Sequence, residues 1–143
     1  MIVFDKCSTM NSLYAREGVE SFGSSTQHEE DIVLHTVDRY GLQHGIEFID
    51  LVKMDVEGHE VEACKGMIHM LRSGQVGAIQ LEYGGCNIDA RALLKDIFAL
   101  FRGFHWSFYK IYPKELRLVP RHDQRLENFQ YQNWVAINND GKP

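Results

Sequence analysis

The chain has 143 residues, of which 44% are hydrophobic and 24% are charged, and its formal net charge is -5. These values are typical of a globular protein with one core, and we predict a single domain over residues 1–143. The net negative charge and the scattered Lys and Arg residues argue against a nucleic-acid partner. Because no apolar run reaches the roughly 18–20 residues of a membrane span and no signal peptide follows Met1, a membrane protein is not expected either.

The three cysteines, Cys7, Cys64 and Cys86, indicate a reducing environment. An odd number cannot pair completely, and the wide spacing fits no zinc-binding template. We therefore expect reduced thiols and a cytoplasmic location.

The first third of the chain is predicted to contain little regular structure. A short strand at 2–4 is followed by a long polar loop at 5–30, which is rich in Ser and Gly. Loops of this length are usually functional or mobile, so a lid over a site and plain disorder both remain open. A second short strand is predicted at 32–35, and Thr36 is a candidate N-cap for a short helix that ends near Gly45.

The middle of the chain alternates between strand and helix patterns. An apolar strand runs from 49 to 55 and ends on a carboxylate, as a buried parallel strand would. Apolar residues at helical spacing then predict a helix over 60–73, with Gly74 at its C′ position. A second strand at 78–83 and a second helix at 89–102 follow in the same order.

The last third carries strand patterns at 104–109, 116–119 and 134–137, with no helical pattern between them. Such segments pair antiparallel through hairpins or loops. The predicted fold class is therefore α/β, with parallel strands and helices followed by antiparallel C-terminal strands. Several α/β folds share this order, so the element pattern alone does not identify one of them.

One segment is more specific than the element order. Residues 49–60 read I-D-L-V-K-M-D-V-E-G-H-E, which resembles the signature I-D-x-[LV]-K-[IM]-D-V-E-G-x-E of FkbM-type S-adenosylmethionine-dependent methyltransferases. Lys65-Gly66 in the next helix and Glu82 at the end of the next strand also match that family. The resemblance covers roughly residues 8–138. It implies a Rossmann-like class I methyltransferase fold, S-adenosylmethionine as cofactor, and a hydroxyl of a sugar or small natural product as methyl acceptor.

The chain departs from that family in one respect. A class I methyltransferase holds its cofactor with a glycine-rich turn after the first strand, but none of the 12 glycines here forms a G-x-G-x-G segment. Gly84-Gly85 follows a later strand. We therefore expect a partial fold that corresponds to the C-terminal part of the family and lacks the N-terminal cofactor motif, and we assign no cofactor-binding residues.

Four residues are the candidate catalytic groups, namely Asp55, Glu57, His59 and Glu82. Because the carboxyl ends of parallel strands meet at one edge of a sheet, the three carboxylates are expected to lie together. Methyl transfer to a hydroxyl is helped by a base, and histidine is a residue type suited to proton transfer, which makes His59 a candidate. The alternative is structural: carboxylates at a helix start are favoured by the helix dipole, and a single His is often a surface or packing residue.

The same four residues could converge on a divalent cation such as magnesium. Their spacing matches no metal-site template, however, so the sequence predicts no metal site.

Three functions remain open from the sequence. The first is an O-methyltransferase. The second is an inactive truncated protein, or one half of a split enzyme that needs a missing N-terminal partner. The third is a binding module without chemistry. A parallel sheet that ends at a central strand exposes an apolar edge, so we expect a homodimer or a partner chain.

Overall fold

The computed structural model describes residues 1–3, 11–16 and 28–140, which form a mixed α/β structure. The strands of the described part are β1 (Ile2–Val3), β2 (His28–Glu29), β3 (Ile49–Met54), β4 (Val76–Tyr83), β5 (Trp106–Tyr112), β6 (Glu115–Leu118) and β7 (Gln132–Asn138). The helices are α1 (Val37–His44), α2 (Glu60–Lys65), α3 (Ile68–Arg72), α4 (Cys86–Asp89) and α5 (Leu94–Leu100), with a 3-10 helix at Gln124–Leu126.

Five of these strands form one mixed sheet in the order β3-β4-β7-β5-β6, while β1 and β2 pair separately. β3 and β4 are parallel, with Leu51 opposite Ala78 and Met54 opposite Leu81. All other pairs in the sheet are antiparallel. The predicted α/β class is therefore confirmed, and β3 forms one edge of the sheet among the described residues.

One face of the sheet carries the core. Alternate residues of the strands pack there against α2, α3 and α5, because side chains on a strand alternate between its two faces. The core cluster includes the strand residues Met54, Ile79, Leu81, Tyr83, Phe108, Trp134 and Ala136 and the helix residues Val61, Cys64, Leu71, Leu94, Ile97 and Phe101.

The opposite face of the sheet is only partly covered. The register places Leu51, Leu116 and Leu118 on this face, and they remain 53%, 52% and 52% exposed. Partly buried residues such as Val135 and Tyr109 lie between them across the sheet. All-parallel sheets are normally covered on both faces, whereas sheets of mostly antiparallel pairs, such as this one, commonly leave one face to solvent.

Helix α1 forms as the sequence predicted. The Thr36 side chain accepts a hydrogen bond from the Arg39 amide at 3.2 Å, and Gly45 closes the helix in the left-handed region at φ 64°. Asp38 joins this helix to the core, because its carboxylate accepts the amides of His69 and Met70 at 3.0 Å. Those two amides belong to the first turn of α3, so the contact also caps that helix.

Three of the predicted elements are wrong in their extent. The strand at 32–35 does not form; the segment has no regular secondary structure, is exposed, and pairs with no strand of the described residues. The helix at 60–73 is divided into α2 and α3 at Gly66-Met67. The helix at 89–102 is shorter than predicted and spans only α5, Leu94–Leu100, while Asp89 ends α4 instead of capping this helix. Arg91 adopts φ 54° between the two helices, which prevents one continuous helix.

The long polar loop predicted at 5–30 is described only in part. Residues 4–10 and 17–27, and with them Cys7, lie outside the described residues. Residues 11–16 run beside the sheet, and Ser12 forms a bridge with Ile2. In the described part of the chain, no helix has both the length and the apolar character needed to cross a membrane.

Candidate active site

Three of the four predicted catalytic residues come together at the carboxyl ends of β3 and β4. Asp55 directly follows β3, and the parallel register places it beside Glu82 on β4. Glu57 joins them from the turn after β3. One carboxylate oxygen of each residue lies within 4.8 Å of the other two. We call these three residues the carboxylate site.

His59 is not a member of this group. Its Nδ1 lies 2.9 Å from the Tyr14 hydroxyl, and its ring is tilted against the tyrosine ring at a centroid distance of 5.9 Å. The geometry therefore separates His59 from the three carboxylates, and its catalytic role stays a prediction.

The turn that presents Glu57 is strained and tightly packed. The backbone φ is 49° at Glu57 and 99° at Gly58, and residues other than glycine rarely adopt positive φ values. A Cβ atom at position 58 would lie 2.7 Å from the Ala90 side chain and 2.9 Å from the Cys86 carbonyl, so only glycine fits there. A non-glycine residue in this region costs about 1–3 kcal/mol, which the surrounding contacts must offset.

Residues 11–16, here called the N-terminal strap, supply several of these contacts. The Ser12 hydroxyl donates to the Glu57 carbonyl at 2.9 Å, and Tyr14 reaches His59. Arg16 donates from Nη1 to the Glu57 carboxylate at 2.9 Å. Three side chains of the strap therefore hold the turn, through the Glu57 carbonyl, the Glu57 carboxylate and the His59 ring.

Glu60 fixes the same turn from inside. Its side chain is 1% exposed and accepts hydrogen bonds from the Gly58 amide at 3.4 Å and from Asn87 Nδ2 at 3.2 Å. Burial raises the pKa of Glu60, although these hydrogen bonds oppose the shift. Glu60 therefore joins the turn to α4, which is a structural role beyond the favourable helix dipole. Glu62, in contrast, is exposed and pairs with Lys65 at 2.6 Å.

The carboxylate site concentrates negative charge. Two carboxylates about 5 Å apart repel each other by about 1 kcal/mol in water, and by roughly 3 kcal/mol at an effective dielectric constant of about 20. Burial raises the pKa of Glu57; the Arg16 cation lowers it, and Asp55 and Glu82 raise it further. Burial and the charge of Asp55 raise the pKa of Glu82, while Lys53 opposes the shift.

Two cations lie next to the site. Lys53 Nζ is 3.2 Å from Asp55, and both side chains are more than half exposed. Arg16 is 8% exposed and pairs with Glu57. Three convergent carboxylates are also the ligand type that hard divalent cations prefer, but exposed acidic groups are common without an ion. The absence of a metal site thus stays a prediction.

A glycine pair also lies at this edge of the sheet, directly after β4. The one glycine pair at this edge, Gly84-Gly85, is covered by Tyr131, whose ring would lie 2.5 Å from a Cβ atom at position 84. The pair therefore offers no open backbone of the kind that approaches a nucleotide. What the described residues contribute at this edge is the carboxylate site.

Arg16, Tyr131 and Asn87 are site residues that the sequence did not reveal. Arg16 lies in the segment that we predicted as a polar loop, and nothing in its neighbourhood marks a buried cation. Asn87 gives a weak signal, because an Asn three residues after a glycine can cap a turn; its Oδ1 accepts the Gly84 amide at 2.9 Å. Tyr131 is distant in sequence and gives no signal.

Residues 3–132 match the family model of the methyltransferase FkbM domain. A comparison with curated proteins and a comparison with solved structures gave no match. The family match covers most of the chain, including the N-terminal strap and all three residues of the carboxylate site. The chain therefore belongs to the FkbM methyltransferase family, as its signature at residues 49–60 predicted.

Proposed function

We propose that this member of the FkbM family provides the acceptor side of S-adenosylmethionine-dependent methyl transfer in a class I fold. The acceptor is a hydroxyl group of a sugar or small natural product. One observation carries the proposal: Asp55, Glu57 and Glu82 converge at the carboxyl ends of parallel strands, where ligands of open α/β sheets bind.

The cofactor supplies an electrophilic methyl group on a sulfonium. Transfer would join that methyl group to the acceptor oxygen and release the cofactor as a neutral thioether, so a group of this chain must accept the hydroxyl proton. We assign Glu82 as the group that takes the proton, because its pKa is raised and the described residues give it no hydrogen bond or ion pair. Asp55 lies beside it and accepts a hydrogen bond that orients the hydroxyl.

Asp55 and Glu82 give the first test. In a transfer assay with labelled S-adenosylmethionine and a panel of sugars and hydroxylated natural products, Asp55→Asn and Glu82→Gln should each reduce kcat by about 10²-fold or more. Asp50→Asn is the matched control, because Asp50 is exposed on the same strand outside the site. Equal rates for Asp55→Asn and Asp50→Asn would remove Asp55 from the mechanism.

Calorimetry with S-adenosylmethionine separates binding from chemistry. If the wild-type chain binds the cofactor, both site variants should bind it within about twofold of wild type, because the carboxylates act on the acceptor. A large loss of cofactor affinity in Glu82→Gln would instead place Glu82 on the cofactor.

A second candidate function is half of an enzyme that works only with a partner chain or a second copy. The observation that favours it is the open face of the sheet, where Leu51 on the edge strand β3 and Leu116 and Leu118 on the opposite edge strand β6 are each about half exposed. Exposed apolar surface and an unpaired edge both favour association.

Light scattering tests this second function. We expect the wild-type chain to self-associate or to require a partner, and Leu51→Glu to reduce the association. Leu42→Glu is the control, because Leu42 is 86% exposed but lies on α1, away from the open face. A wild-type monomer that transfers methyl groups by itself would rule out the partner requirement.

The cysteines support the expected cytoplasmic location. Cys64 and Cys86 are free and buried, at 0% and 2% exposed. Burial raises the pKa of each thiol to about 12, so neither is a reactive thiolate. We propose that the chain functions in a reducing compartment.

A further inference from the structure

Arg16 is the most deeply buried cation next to the carboxylate site. Its side chain is 8% exposed and divides its donors between two partners, Glu57 Oε2 at 2.9 Å and the Tyr131 hydroxyl at 3.0 Å. The third nitrogen of the guanidinium, Nε, is buried without a hydrogen-bond acceptor. It lies 3.8 Å from Asp89 Oδ2, which is too far for a hydrogen bond. A buried guanidinium is costly unless it is well paired, so its place next to Glu57 needs a reason.

Glu57 supplies that reason. It adopts a left-handed backbone conformation, and its carboxylate lies within 4.8 Å of the other two carboxylates of the site. Repulsion from Asp55 and Glu82 favours rotation of the Glu57 side chain away from them. Arg16 is the cation that opposes this rotation, because its planar guanidinium fixes both the distance and the direction of the carboxylate.

Tyr131 holds Arg16 in turn. Its ring lies directly over Gly84, where a Cβ atom would come within 2.5 to 2.8 Å of three ring carbons. Gly85 is different, because a Cβ atom there would lie 3.6 Å from the Tyr131 hydroxyl, which is an ordinary contact distance. Tyr131 can therefore reach Arg16 only because position 84 has no side chain, whereas position 85 would tolerate one.

We propose that Arg16 is a positioning residue of the carboxylate site, and that the contact between Gly84 and Tyr131 sets its position. The glycine that follows β4 thus controls a carboxylate that follows β3, through the N-terminal strap. This inference rests on the proposed function of the site for its catalytic consequence. The positioning of Glu57 itself can be measured without any activity.

The matched pair Gly84→Ala and Gly85→Ala tests the proposal. The readout is the carboxyl ¹³C signal of Glu57, identified by its loss in Glu57→Gln, together with the pH dependence of that signal. Gly84→Ala should displace Tyr131, loosen Arg16 and shift the signal toward that of Arg16→Met. Gly85→Ala should leave the signal at its wild-type position.

Tyr131→Phe keeps the proposal testable if Gly84→Ala fails to fold. Tyr131 is 56% exposed, and this change removes only the hydroxyl that accepts from Arg16. We expect it to shift the Glu57 signal in the same direction as Gly84→Ala. Arg16→Lys should restore part of the wild-type signal relative to Arg16→Met, because it keeps the charge but loses the fixed geometry.

Activity distinguishes this inference from the proposed function. If the wild-type chain transfers methyl groups, Gly84→Ala and Tyr131→Phe should each lower kcat by about tenfold, because a small misplacement at a site is sufficient for that loss. Shifted Glu57 signals without any wild-type transfer would support the positioning role and contradict the function. An unchanged Glu57 signal in Arg16→Met and Tyr131→Phe would overturn the inference.

Discussion

Two acidic centres of this protein differ in how their charge is compensated. The carboxylate site places three carboxylates within 4.8 Å of each other, and only two cations lie next to them. At the second centre, Glu127 accepts hydrogen bonds from the amides of Leu94 and Lys95 at 3.1 and 2.8 Å. It also accepts from His122 at 2.7 Å, and from the Tyr83 hydroxyl.

The pKa shifts at the two centres have opposite signs. Burial alone would raise the pKa of Glu127, but hydrogen bonds from Tyr83, the two amides and His122 lower it below its usual value. Glu57 and Glu82 have raised values, since burial and mutual repulsion exceed what their cations offset. A carboxylate whose oxygens all accept hydrogen bonds has a structural role. A carboxylate that lies close to other carboxylates without enough compensating cations lowers stability, and it is a candidate for function.

Replacing Glu127 should have the largest effect on stability. Glu127→Ala removes the cap of α5 and leaves the Tyr83 hydroxyl, which is buried with its ring, without an acceptor. We expect a loss of about 3 kcal/mol in the free energy of unfolding, measured with urea. The control Glu115→Ala should cost less than about 0.5 kcal/mol, because Glu115 is exposed and pairs only with Arg117 on the surface.

The same variant has a pH signature. Because the folded-state pKa of Glu127 is lowered, its ionised form stabilises the protein above the unfolded value of 4.5, and this contribution is lost as the pH falls through the folded value. The difference between wild type and Glu127→Ala should therefore narrow below about pH 4. A difference that stays constant into acid would show that packing, rather than the charge, carries the effect.

Removing one donor from Glu127 should have a smaller effect. Tyr83→Phe deletes a single hydroxyl from a ring that is 0% exposed. We expect a loss of about 1–2 kcal/mol, since a hydrogen bond to a charged acceptor is lost while three others remain. Tyr109→Phe is the control, because the described residues give its hydroxyl no partner. Equal losses in both variants would contradict the assigned role of the Tyr83 hydroxyl.

The sequence predicted the centre of the fold better than its connections. The strand pattern of β3, the cap Thr36 and the glycine at 45 are local signals, and each element formed. The burial predicted for β3 was wrong, because β3 is an edge strand in which only Met54 is buried. The break between α4 and α5 depends on Arg91 in a left-handed conformation, which sequence spacing does not reveal. The predicted strand at 32–35 has suitable residues but no partner strand in the described part of the chain, and strand pairing is not a local property.

The carboxylate site was predictable only in part, for a similar reason. Asp55, Glu57 and Glu82 could be placed together because parallel strands bring their carboxyl ends to one edge. The contacts that hold Glu57 in place join residues far apart in the chain. Arg16 is 41 residues from Glu57 and 115 residues from Tyr131. No periodicity or spacing encodes such contacts, and a lone Arg in a polar segment is normally read as solvated.

The smallest expected effect is a gain in stability at the carboxylate site. Because the folded-state pKa of Glu82 is raised, its ionised form destabilises the protein as the pH rises through that value. Glu82→Gln should therefore stabilise the protein by roughly 0.5 kcal/mol at neutral pH and low salt, and the gain should vanish below about pH 4 and decrease with added salt. Glu47→Gln, at an exposed position outside the site, should show no such gain. A loss of stability in Glu82→Gln at neutral pH would mean that Glu82 has a structural partner, as Glu127 does, and would end the distinction between the two centres.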